Sequence, residues 1–211
     1  MSARFLDDEA RKTFESAIAS IEATSAIEVV IAVRRQSAGH RHANLIVSVL
    51  AGFAALAAML FSSHPFSLTA ILVDPFIVAL ASGAIVELLP GVKRVLTPAG
   101  VRHHHVMRAA RATFVERGIH DTIGRSGLLV YISWLEQQVV LVADRGVARS
   151  LPPDALASAE TRLTAAMADG GAAVARTLAE LGSELTRAMP RRADDLNELP
   201  DAIDSDLRRR R

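Results

Sequence analysis

No Lys, Arg, Asp or Glu occurs between His42 and Val73, and only Asp74 and Glu87 interrupt the apolar run that continues to Leu89. This charge vacuum constrains the fold more than any other feature. Leu45 to Phe61 reads LIVSVLAGFAALAAMLF, and as a helix rising roughly 1.5 Å per residue it is about 25 Å long, close to the hydrocarbon core of a bilayer. Ser62-Ser63-His64-Pro65 breaks the run, and a second apolar stretch extends from Phe66 to Leu89, where Pro90-Gly91 ends it. Lipid cannot satisfy backbone N–H and C=O groups, so both stretches are expected as helices. Two buried core helices of a soluble protein are the plainer alternative. Adjacent spans of this length and this poverty of charge are rare in such cores.

Asp74-Pro75 is the ambiguous point. Asp is a good N-cap and Pro suits a first turn, which favours a helix starting at Pro75 with 68–73 interfacial or re-entrant. Alternatively, Asp74 lies a third of the way down a longer helix. A carboxylate in an ion path needs more protected room than two helices offer, so the cap is the expected role. Glu87 is expected at the interface.

The flanks give an orientation. Arg34, Arg35 and Arg41 precede the first span, and Lys93, Arg94, Arg102, Arg108 and Arg111 follow the second, whereas 62–67 holds no basic residue except His64. The positive-inside rule then places both flanks in the cytoplasm and the connecting loop outside. The expected location is the inner (plasma) membrane, multi-pass, with both termini cytoplasmic. The N-terminus, MSARFLDDE, has no apolar core of a cleavable signal. Those eight basic residues are also candidates for contact with anionic lipid, each contributing on the order of 1 kcal/mol near a membrane surface.

The remaining sequence divides into 1–42 and 92–190, with a charged tail, 191–211, read as mobile for want of an apolar stripe. In the first segment, Asp7 or Asp8 can cap a helix whose Phe14, Ala17, Ile18 and Ile21 form one stripe, and 27–33 (IEVVIAV) reads as a strand. In the second, the spacing predicts a helix over 101–117, strands over 127–134 and 138–143, a turn at Asp144-Arg145-Gly146, a helix over 153–168, and a last helix to Met189 with Val174, Leu178, Leu181 and Leu185 inward. One helix and one strand cannot build a core, so 1–42 must complete 92–190, and 43–91 is expected as a transmembrane hairpin inserted in one α/β domain with a small central sheet flanked by helices.

The string TIGRSGLLVYISWLEQQV over 122–139, closed by Ala143-Asp144-Arg145-Gly146, resembles the TPM domain pattern T..RTGILIFIS..ER.VE…ADRGI. Thr24-Ser25-Ala26-Ile27-Glu28-Val29-Val30-Ile31 is similar to that family's A.T.GEIVVV opening. The likeness covers 5–42 and 102–190, and departs at Ala26-Ile27 and at Gln137. Bacterial members often carry a membrane hairpin between the two pieces. The resemblance implies a central sheet flanked by helices, and roles reported across the family range from acid phosphatase activity and photosystem repair in plants to receptor modulation in animals.

Chemistry is sparse. The absence of cysteine excludes disulfides, thiolate metal sites and thiol nucleophiles, and a net charge of +1 with 4% aromatic residues argues against a nucleic-acid partner. His103-His104-His105 is conspicuous, but three consecutive helical residues point about 100° apart and cannot share one ion, with His120 or His40 or without. The catalytic candidates are Asp121, Asp144 and Arg145; no cofactor is predicted, and a divalent cation on Asp121 and Asp144 belongs only to the hydrolase alternative. Turn and cap chemistry explains the same residues. The function expected is a membrane-anchored, cytoplasm-facing interaction or accessory module whose partners are the bilayer and a protein. The alternative is a phosphatase-like hydrolase using those carboxylates.

Overall fold

The computed structural model describes residues 5–37, 41–89, 91, 94, 97–191, 198–199 and 203–207. Asp7 accepts a hydrogen bond from the Ala10 N–H (2.9 Å) and caps helix α1, Asp8–Glu22, whose Asp8 and Glu9 complement the positive helix end. Phe14, Ala17, Ile18 and Ile21 are buried on one stripe, as their spacing requires. Strand β1, Glu28–Arg34, follows. After an interval that includes a helical hairpin come α4 (Ala99–Glu116), β2 (Gly127–Ser133), β3 (Gln138–Ala143), α5 (Arg145–Ser150), α6 (Ala155–Ala166), α7 (Gly171–Ala188) and the short β4 (Asp204–Ser205). The hairpin helices are α2, Arg41–Phe61, and α3, Leu68–Leu88. Seven α-helices and a four-stranded mixed sheet thus make an α/β fold among the described residues.

The sheet order is β3-β2-β1-β4. β1 and β2 pair in parallel from Glu28–Gly127 to Arg34–Ser133, although the hairpin separates them in sequence. β2 and β3 form an antiparallel pair joined through 134–137, where Gln137 takes φ +53°. Both sheet faces are covered. Val29, Ile31, Val33, Leu128, Val130 and Ile132 meet α1, α6 and α7, while Val30, Ala32, Leu129 and Tyr131 meet Val106, Ala110 and Phe114 of α4. Two-sided burial explains why β1 and β2 are nearly continuous apolar runs rather than alternating ones. Each fully buried Ile or Leu contributes roughly 1.5–3 kcal/mol. The outer edge of β3 is closed by side chains of α6: Thr164 Oγ1 accepts from the Val139 N–H (3.0 Å) and Glu160 from the Leu141 N–H (2.8 Å). Burial pushes the Glu160 carboxyl above its usual range, against the hydrogen bond and the charge of His103.

The tail differs from its expected mobility. Asp204 and Ser205 pair in parallel with Ala32 and Val33, Leu207 is buried in the main core, and Ile203 packs against it. The order comes from two apolar anchors and from charge: the Asp204 carboxylate accepts from Arg34 Nη2 (2.5 Å) and meets Arg117 Nη2. Residues 192–197, 200–202 and 208–211 of that tail lie outside the described residues.

Residues 38–102 separate as a second compact unit from 1–37 with 103–211. Its two helices are long and apolar enough to cross a membrane. They pack on small residues: a Cβ at Gly52 would lie 3.1 Å from the Pro75 carbonyl oxygen, and one at Gly83 would lie 2.3 Å from Ser48 Oγ. The expected cap at Asp74 is corrected. Ser67 is the N-cap, accepting from the Ala70 N–H (3.1 Å), and α3 runs unbroken through Pro75, leaving Asp74 in its interior with its side chain exposed. An internal Pro costs about 3 kcal/mol in a helix interior; here Pro75 is buried, with its carbonyl oxygen facing Gly52 of α2.

Candidate functional site

A cleft of about 670 Å³ opens at the sheet end where β2 begins and β3 finishes. Asp144 shapes it. Its N–H donates to the Gly127 carbonyl (2.9 Å), which fixes it just beyond β3, and its Oδ1 accepts from the Arg145 N–H (2.6 Å) as the N-cap of α5. The expected turn at Asp144-Arg145-Gly146 is therefore a helix start. Gly146 lies against the 124–126 turn, its N–H on the Arg125 carbonyl (3.0 Å). A Cβ there would stand 2.5 Å from both the Gly124 and Arg125 oxygens, so only glycine fits. Arg125 itself takes φ +51°.

Three guanidinium side chains line the cleft: Arg125, Arg145 and Arg149. Arg125 donates to the His120 carbonyl oxygen. Arg145 and Arg149 are one helical turn apart on α5 and make no ion pair among the described residues. Asp144 is 7% exposed, and its Oδ2 is buried without a hydrogen-bond partner; the nearest cation, Arg125 Nη1, is 4.0 Å away. His120 Nδ1 is a second buried atom without a partner, and His120 also lines the cleft. Two orphaned polar atoms and three cations on one concave surface form the most unusual polar arrangement among the described residues.

The sequence candidates separate here. Asp144 and Arg145 are in the cleft wall. Asp121 is in the single 3₁₀ turn Ile119–Asp121, its side chain 73% exposed and 3.3 Å from His120 Nε2. Among the described residues no three His, Asp or Glu side chains converge as ligands of a metal ion. His103 and His104 are exposed on α4, and Arg108 Nη2 is 3.0 Å from His104 Nε2. Arg125 and Arg149 have no counterpart in the sequence reading. Reading Asp144 as a helix cap would have paired Arg145 with Arg149 at i, i+4.

The candidate lipid contacts also divide. Arg34 is engaged inside the α/β unit with Asp204, and Arg102 Nη1 donates to the carbonyls of Arg94 (2.6 Å) and Thr97 (2.9 Å). Burial disfavours the Arg34 charge, but the Asp204 hydrogen bond and charge outweigh it and raise its pKa. Arg35, Arg94, Arg108 and Arg111 are exposed. Lys93 and the side chain of Arg41 lie outside the described residues.

At the opposite end of the sheet is a buried polar cluster. Glu136, 2% exposed, accepts from Ser133 Oγ (2.5 Å) and from the Ser37 N–H (3.1 Å), and Ser37 Oγ donates to Ser133 Oγ (2.7 Å). It anchors the segment leaving β1.

No protein-family model matches the chain, and neither does any curated protein. Among solved structures, the fold is similar to the NMR structure of the BA42 protein from the psychrophilic bacteria Bizionia argentinensis, with a TM-score of 0.57 and 15% identity over 95% of each chain. At that identity the likeness concerns the fold alone.

Proposed function

We propose that this chain is a membrane-anchored, TPM-like interaction or accessory module. In this reading α2 and α3 cross the inner membrane as a hairpin, 62–67 faces outward, and the α/β domain stands in the cytoplasm where it engages a protein partner. One observation carries the anchor. None of the 18-residue apolar window in α2, and 11% of the 19-residue window in α3, is buried by the rest of the protein. Phe53, Phe61, Leu68, Leu80 and Leu88 all stand open. Apolar surface this continuous calls for lipid or protein cover. A soluble core helix would be mostly buried.

The accessory role follows from what the domain holds. The hydrolase alternative needs Asp121 and Asp144 on one divalent cation. Asp121 turns to solvent and Asp144 is enclosed, which favours recognition over hydrolysis.

The natural absence of cysteine makes the test clean. Cells expressing Ser63→Cys or Ser150→Cys are treated with a membrane-impermeant maleimide, and membranes are washed with alkaline carbonate. The expected outcome is retention in the membrane pellet, labelling of the loop variant in intact cells, and labelling of the Ser150 variant only after permeabilisation. Extraction by carbonate would sink the anchor. Labelling of both variants in intact cells would sink the cytoplasmic placement. Cross-linking from the same membranes then addresses the partner, and failure to capture any protein would remove the interaction reading.

A further inference from the structure

We infer that the cleft beside Asp144 binds a polyol phosphate: a phosphate ester carrying a hydroxyl on a neighbouring carbon. Arg145 and Arg149 present two guanidinium groups without carboxylate partners among the described residues, and Arg125 adds a third, more exposed than buried at 57%. Guanidinium groups bind phosphate oxygens through paired charge-assisted hydrogen bonds. Asp144 Oδ2 asks for the opposite. A carboxylate oxygen accepts, and nothing donates to this one. Leaving such an acceptor unpaired costs about 1–3 kcal/mol or more. A bare sulfate brings four further acceptors and cannot relieve it, whereas an ester with an adjacent O–H satisfies both sides. An ammonium group is disfavoured among three guanidinium groups.

Size and geometry agree. A volume of about 670 Å³ lies within the roughly 300–1,000 Å³ typical of small-molecule sites and is far more than one phosphate fills. The walls are built before any ligand arrives. Gly146 is locked on the Arg125 carbonyl, Asp144 on the Gly127 carbonyl, and Arg125 on the His120 carbonyl. His120 Nδ1, the other such atom among the cleft residues, offers a second hydroxyl contact. The assignment stands on this cleft alone and is independent of whether the hairpin lies in a bilayer. The same chemistry belongs to a soluble polyol phosphate and to a glycerol-bearing lipid headgroup.

The test is calorimetric titration of the full chain in mild detergent with glycerol 3-phosphate, ethyl phosphate and sulfate. Glycerol 3-phosphate is expected to bind at least about tenfold tighter than the other two, because a site built around a hydroxyl rejects the analogue lacking it. Asp144→Ser keeps a capping oxygen at the start of α5 and removes the second oxygen. It is expected to abolish the preference for glycerol 3-phosphate over ethyl phosphate while still binding both anions. Arg145→Ala with Arg149→Ala, both exposed positions, is expected to lower affinity for both esters at least about tenfold. Equal binding of the two esters by the natural chain, persistence of the preference in Asp144→Ser, or no heat from any ester would each overturn the assignment. Repeating the titration in phosphatidylcholine nanodiscs with and without phosphatidylglycerol identifies the source. Loss of soluble binding in the phosphatidylglycerol discs marks a lipid headgroup, and its retention marks a soluble polyol phosphate.

Discussion

Asp204 is the residue on which the most distant parts of the sequence depend. Burial alone would raise its pKa; the Arg34 hydrogen bond and charge, and then Arg117, more than reverse this and hold it below the ordinary carboxylate range. The sign of the pH effect follows. A carboxyl whose folded pKa is depressed favours the folded state above its unfolded pKa and loses that contribution as pH falls through the folded value. Attachment of β4 to β1 is therefore expected to persist at neutral pH and to weaken below about pH 4. Amide exchange at Ser205 and Asp206, whose N–H donates to the Val33 carbonyl (3.2 Å), reads this locally. Asp204→Asn is expected to cost roughly 1–2 kcal/mol at pH 7 and to flatten the acid limb of the stability curve. An unchanged acid limb in that variant would assign the effect elsewhere. The sequence shows Asp204 only as one of several acids in a charged tail; its partners are some 170 and 90 positions away, too far for any local pattern to reveal.

The same distinction between local and distant causes sorts the elements. α1, β1, α4, β2, β3 and α7 were legible because each carries its own period, cap or apolar run, and Phe14, Ile31, Val130 and Leu178 are buried where that pattern puts them. The six residues of α5 are too few to show a period and the two of β4 too few to alternate, so neither element is visible in the sequence. The cleft needs both α5 and the left-handed Arg125, so only Asp144 and Arg145 were visible in advance. α3 was misjudged at Asp74-Pro75 for a different reason: propensity there favours a start, and packing against α2 overrides it. Close approach of the hairpin helices is the cause to test. At Gly83 any side chain would meet Ser48 Oγ at once, with a Cβ only 2.3 Å away. Gly83→Leu is expected to splay α2 from α3 and cost roughly 1–3 kcal/mol by overpacking, whereas Ala84→Leu, on an exposed position, is expected to cost little. Disulfide trapping between cysteines introduced at 52 and 79, where a Cβ at Gly52 would lie 3.2 Å from the Ala79 Cβ, measures the approach. Equal yields from a Gly83→Leu background and its parent would argue against close helix packing as the source of the hairpin's shape.

At the scale of the whole molecule, the parallel pairing of β1 with β2 makes the hairpin an insertion rather than a boundary. β1 gains hydrogen-bonded neighbours from 127–133 on one side and 204–205 on the other, so neither sequence segment holds a complete sheet. Every residue of the two clusters that cover the sheet comes from 5–33 or from 106–207. The hairpin is absent from both. Its removal should therefore leave the α/β core intact, provided the chain can still join β1 to α4. Replacing 38–98 by a Gly/Ser linker of about 20 residues, with a reach of about 25 Å, keeps all of α4 and lengthens no buried segment. The expected product is soluble without detergent and unfolds in one cooperative transition. Trp134, the single tryptophan, packs against the core, and its backbone N–H donates to the Arg34 carbonyl (2.9 Å), so its emission reports the surroundings of the β1–β2 junction. Far-UV and near-UV dichroism distinguish the native state from a collapsed one. Retained helix with a red-shifted Trp134 and no near-UV signal would mean that the hairpin is needed to align β1 with β2. A sharp transition with native Trp134 emission would establish that the sheet is specified by the two outer segments alone.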